Sequence, residues 1–184
     1  PYILLSFNEL AEDQNLLIKI PENTLVQMPF GYGFYKLEAV TKLANLENDK
    51  SLLLGAVTDL FGIKISGWFE GFTIKPVEEN SRIISSLKSK LGFPWLLISQ
   101  GKSNLNIFDK ILLGWRVMQL TPDNTSIYDL ANSPQVLHSE ILVDGSRVFS
   151  VNLEALDRLL EQKFTDSKIR DDGLTIEIIN TTST

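Results

Sequence analysis

The chain has 184 residues, 43% hydrophobic and 22% charged, with a formal net charge of −6 and a pI near 4.8. These are globular proportions, and a chain of this length can bury roughly 70% of its unfolded surface without staples. The scattered lysines and arginines form no stripe, which argues against nucleic-acid binding, and the absence of cysteine excludes disulfides, thiolate nucleophiles and Cys-ligated metals.

In chain order, YILLSF (2–7) and LLIKI (16–20) are apolar runs separated by a polar stretch, which predicts a β-hairpin closed by Pro21. Leu25, Val26 and Met28 continue as an edge strand up to Pro29. A glycine-punctuated loop then leads into a helix whose stripe is Leu37, Val40, Leu43, Ala44 and Leu46. A second helix is predicted over 49–61, capped by Asp49 or Ser51 and stopped by Gly62, with Leu53, Val57, Leu60 and Phe61 inward.

KISGWFEGF (64–72) has the aromatic, partly alternating pattern of a strand. Residues 78–91 are helical, with Ile83, Ile84, Leu87 and Leu91 inward, and WLLIS (95–99) is expected to be a buried strand. A helix over 108–120 ends before Pro122, and strands are predicted at 126–130 and 147–151, the second after an Asp144-Gly145 turn. Asn152 caps a helix running to about Phe164, and LTIEII (174–179) alternates like an edge strand. Interleaved strands and helices with an antiparallel opening predict an α/β fold, a mixed central β-sheet flanked by helices on both faces. No apolar run approaches the ~20 residues needed to cross a bilayer.

Each chemistry-bearing feature has an ordinary structural explanation beside it. His138 is the sole histidine, and next to Ser139 it could serve a Ser–His–Asp arrangement or be a loop residue near Pro134. Glu78-Glu79 and Asp171-Asp172 could do acid–base work or hold Mg²⁺, but helix-dipole complementation and solvation are the default explanation. Gly31 and Gly33 are half of a phosphate loop at the wrong spacing, so a turn is expected. Trp68, Phe69, Phe72, Trp95 and Trp115 could line a lipid cleft, with core packing as the default. The sequons at Asn124 and Asn180 are easily met by chance.

Two blocks resemble the LytR-CpsA-Psr family of bacterial envelope proteins. In the first, ILLSFN, LLIKIPENTLVQMP, GYGFYKLEA and VTDLFGIKISGWFEGF follow the family's order between residues 3 and 72. In the second, from Asp144, DGSRV, a Leu-rich helix, FTDSKIR and LTIEIINTT resemble the linker and first strand of a LytR-type C-terminal domain. Residues 73–140 carry no family motif.

The resemblance implies a membrane-anchored extracytoplasmic domain, with its anchor upstream of Pro1, that binds polyprenyl-phosphate-linked glycopolymers in an apolar groove. Typical members transfer the polymer to peptidoglycan with arginines, an aspartate and Mg²⁺, since guanidinium groups and a divalent ion neutralise a diphosphate leaving group. The family's Ile-Pro-Arg-Asp motif is here Ile20-Pro21-Glu22-Asn23, which puts a negative charge where a cation is needed. Its Lys-Ile-Asn-Ala motif is Lys36-Leu37-Glu38-Ala39, and Arg116 stands alone where the family has a run of arginines.

By family position, the ligand-binding residues are Asn23 and Lys36, with no catalytic residue and no metal ligand assigned. Residues 1–172 are expected to form the LytR-CpsA-Psr-like domain and 173–184 the start of the next. The leading expectation is a degenerate, non-catalytic domain with no cofactor, binding a polyprenyl-phosphate carrier or wall polymer and no nucleic acid. The alternatives are an active Mg²⁺-dependent glycopolymer transferase, and an unrelated α/β interaction module.

Overall fold

A computed structural model describes residues 2–7, 15–70, 80–98, 101–143 and 145–164. In chain order they form β1 (Tyr2–Ser6), β2 (Asn15–Ile20), β3 (Leu25–Gln27), β4 (Phe34–Lys36), α1 (Leu37–Leu46) and α2 (Ser51–Phe61). There follow β5 (Phe69–Glu70), α3 (Asn80–Leu91), α4 (Trp95–Ile98), β6 (Lys102–Ser103) and α5 (Ile107–Gln119). The chain continues through β7 (Thr125–Asp129), β8 (Leu137–Ile141), β9 (Arg147–Val151) and α6 (Leu153–Phe164). Glu78-Glu79, Phe72, Asp144, Asp171-Asp172, the Asn180 sequon and the 173–184 segment lie outside the described residues.

The central sheet has the order β1-β2-β7 and is mixed. β1 runs antiparallel to β2, with Tyr2 opposite Ile20, and β7 runs parallel to it, with Lys19 opposite Asp129. A parallel pair needs a crossover, and here everything between Ile20 and Thr125 serves as one. β2 reads as a nearly unbroken apolar run because both of its faces are covered. Leu16, Ile18 and Ile20 pack on one side against α1, α2 and α6, through Leu37, Val40, Leu60, Leu156 and Leu160. Leu17 points to the other side, into Ile83, Leu87, Leu96, Val117 and Leu120 of the α3–α5 region. The flanked mixed sheet expected from the sequence is therefore the observed architecture.

Local chemistry accounts for most element ends. Asn106 and Asp109 form a reciprocal capping box at the start of α5. The Asn152 side chain accepts the Ala155 amide at 3.2 Å, and Gly62 ends α2 at φ 64°.

Several expectations are corrected. WLLIS is not a buried strand: residues 95–98 form α4, where the Leu96 amide bonds the Gly92 carbonyl at 3.3 Å and the Leu97 amide that of Pro94 at 3.0 Å. An apolar run this short has no period to distinguish the two states, and local bonds satisfied its backbone. Among the described residues of the expected 64–72 strand, which run to Glu70, only 69–70 pair, with β6. Trp95 and Trp115 are exposed rather than core residues. His138 lies on β8, not in a loop, because residues 137–141 pair with β9 as a hairpin.

Candidate functional site

The site implied by Glu22, Asn23 and Lys36 is built where β2 ends. Pro21 stops the strand, and the Thr24 amide closes a turn on the Pro21 carbonyl at 3.3 Å. β3 then pairs with β4, Leu25 opposite Lys36. The return between them needs Gly31 and Gly33, at φ 78° and 88°, so these glycines make a turn as expected.

Lys36 is the last residue of β4 and the N-cap of α1. The first amides of α1 are consumed by the turn: Leu37 donates to the Thr24 carbonyl at 2.8 Å and Glu38 to the Glu22 carbonyl at 2.9 Å. Two of the helix's four unpaired donors, the groups that could cradle an anion, are thus spent within the chain.

Asn23 and Lys36 converge on one segment, the start of β9. The Asn23 side-chain amide donates to the Arg147 carbonyl at 3.0 Å, and the Asn23 carbonyl accepts the Phe149 amide at 3.1 Å. The Lys36 ammonium donates to Ser146 Oγ at 2.8 Å. Thr24 is fully buried beside this bridge to Phe149, and its hydroxyl oxygen has no hydrogen-bond partner.

The surroundings are acidic. The Tyr2 hydroxyl donates to Thr41 Oγ1 at 2.6 Å. Burial pushes the Tyr2 phenol above its usual range, the Thr41 bond opposes this, and the carboxylates of Glu22, Glu38 and Glu70 push it further up. The hydrogen bond from Lys42 holds Glu38 below the usual carboxylate range, and that from Lys50, at 2.8 Å, does the same for Glu70. Lys50 also lies 5.3 Å from the centroid of the Trp68 ring. Glu38 and Glu70 thus already hold lysines. Among the described residues no three His, Cys, Asp or Glu gather to hold a metal ion.

Other candidates resolve into structure. His138 faces Ser150 across the hairpin, and the Ser150 hydroxyl bonds the His138 carbonyl and the Glu140 carboxylate rather than forming a triad. Asn124 of the first sequon ties α5 to β7, its side chain bonding the Gln119 carbonyl at 3.0 Å and the Thr121 amide at 2.7 Å. Arg116 sits in the last turn of α5.

The sequence reading missed the Lys19–Asp129 ion pair, formed between register partners on β2 and β7 with both side chains largely buried. A single lysine inside LLIKI was the available signal. The bond from Asn23 to the Arg147 carbonyl was also missed, because the two residues lie 124 positions apart in sequence.

No family model matches the sequence, and no curated protein does. Solved structures do match. TagT bound to LI-WTA is 15% identical with a TM-score of 0.60, over 87% of this chain and 81% of that one. The LytR-CPS2A-psr family protein YwtF (TagT) with bound octaprenyl pyrophosphate lipid is 13% identical with a TM-score of 0.57, over 87% and 81%. TagV of Bacillus subtilis is 10% identical with a TM-score of 0.56, over 81% and 82%. At such identities the likeness is one of fold, and the fold of this chain is that of the LytR-CPS2A-psr proteins.

Proposed function

We propose that the chain is a LytR-CPS2A-psr-like domain of the bacterial cell envelope that binds a polyprenyl-phosphate carrier or a wall polymer without transferring it. The fold supports the envelope assignment, and structural neighbours are known with octaprenyl pyrophosphate lipid and with LI-WTA bound. The observation that carries the non-catalytic reading is Glu22. It is exposed on the turn that caps α1, where the family motif has arginine, and acts on Tyr2 together with Glu38 and Glu70. A diphosphate brought there meets carboxylates, and the cost of placing like charges together opposes charge build-up on a leaving group. Asn23 and Lys36 contribute as fixed donors on one wall.

The Lys36–Ser146 bond favours a second reading, because it sets that lysine beside a segment containing Arg147. Two basic groups converging there are the minimum an Mg²⁺-dependent transferase would use.

A thermal-shift titration with a short-chain polyprenyl pyrophosphate, with and without Mg²⁺, separates the two. Saturation at 100 times the dissociation constant stabilises the native state by about 2.7 kcal/mol. An equal shift in both conditions supports binding without transfer. A shift that requires Mg²⁺ overturns that reading in favour of the transferase, and a flat titration leaves the interaction module.

A further inference from the structure

α5 has two apolar faces where a surface helix needs one. Leu113, Gly114 and Val117 turn inward toward the α3 side of the core. Ile107, Phe108, Ile111, Leu112, Trp115 and Met118 are instead 40% to 78% exposed. At about 100° per residue they fill an outward arc of roughly 140°, interrupted only by Gln119. Arg116 falls at one margin of the arc, about 40° past Leu112. Trp95, 59% exposed on α4, adds a second outward indole.

The neighbouring charge is as uneven as the apolar surface. Residues 80–120 contain six basic side chains (Arg82, Lys88, Lys90, Lys102, Lys110 and Arg116) and one carboxylate, Asp109, in a chain whose total is −6. Lys88 and Lys90 occupy the last turn of α3. That turn abuts the apolar arc at Gly92, where an added Cβ would come within 2.6 Å of Met118 Sδ.

An exposed apolar arc of this kind marks an interaction surface. Aromatic residues with flanking lysines match a bilayer interface, where indoles sit at headgroup depth, lysine stems lie along the apolar surface and ammonium groups meet phosphates. A second copy of the same face would bring like-charged margins together. We propose that the α4–α5 face docks on an anionic lipid bilayer, with Trp95 and Trp115 at the interface and Lys88 and Lys90 toward the headgroups. α5 packs on the opposite side of the sheet from α1, so this docking and the binding proposed at Asn23 and Lys36 can fail separately.

The 184-residue chain is sedimented with vesicles of phosphatidylcholine alone, or with about 30% phosphatidylglycerol, at low and high salt. Binding to the anionic vesicles that weakens with salt, with a blue shift of tryptophan emission, is expected. Phe108→Ser and Trp115→Ser, both at exposed positions, weaken it roughly tenfold or more, and Lys90→Glu weakens it roughly fivefold or more. Binding to neither vesicle, equal binding to both, or binding that both serine variants leave unchanged overturns the proposal. So does sedimentation equilibrium in which the chain dimerises and Trp115→Ser restores the monomer.

Discussion

The Lys36 ammonium donates to Ser146 Oγ at 2.8 Å, joining residues 110 positions apart in sequence and tying the N-cap of α1 to the start of β9. Asn23 reaches the same segment from the β2–β3 turn, so the two residues act as one clamp. Lys36→Ala therefore costs about 1 kcal/mol in stability, the usual net value of such a bond. It also reduces the thermal shift given by a polyprenyl pyrophosphate. Urea melts with and without the lipid check both effects. A full-sized lipid shift in Lys36→Ala would remove that lysine from the binding wall.

Thr24 is fully buried, and its hydroxyl oxygen has no partner, so the wild-type chain carries the desolvation cost of that oxygen without return. Thr24→Val keeps the branched shape and the β-bridge to Phe149 while removing the orphaned group. The variant is expected to be about 0.5–1 kcal/mol more stable in chemical denaturation. A loss of stability would mean that the hydroxyl is satisfied in solution.

How far this site is legible in the sequence follows from what each residue needs. Gly62 and Asn152 act on neighbours a few positions away, so their roles as helix stop and cap are readable from the chain. The β1–β2 hairpin is readable too, since both strands are apolar and adjacent. Lys36 and Asn23 can be nominated by motif position alone, but their partners lie at residues 146 and 147. β8 was missed because LHSEI is largely exposed and lacks apolar alternation, its strand state being imposed by pairing with β9. Trp115 was misjudged for the converse reason. Helical spacing gives α5 an apolar stripe but cannot say which of two stripes meets the sheet.

Glu70 links stability to pH. The hydrogen bond from Lys50 holds its carboxyl below the ordinary value of 4.5 in the folded chain. The unfolded state therefore binds the proton more readily, and the resulting stability is present above pH 4.5 and lost as pH falls through the lower folded value. Glu70→Gln removes that linkage. The variant is expected to be less stable than wild type at pH 7 and to converge with it in strong acid, as urea melts across that range would show. A difference that persists undiminished in acid would assign the loss to packing instead.

Glu22 offers the sharpest test of charge at the β2–β3 turn. It is exposed, so Glu22→Arg introduces no buried charge, and its backbone carbonyl continues to accept the Glu38 amide. The substitution replaces repulsion of a diphosphate by attraction, in a region where Glu38 and Glu70 are already engaged by Lys42 and Lys50. A change of two charge units, from −1 to +1, beside a pyrophosphate is expected to raise affinity for polyprenyl pyrophosphate by roughly tenfold at low ionic strength, less in salt. Calorimetric titration of both chains checks this. Unchanged affinity would mean that the pyrophosphate does not approach the β2–β3 turn, leaving the lipid tail to supply whatever binding is seen.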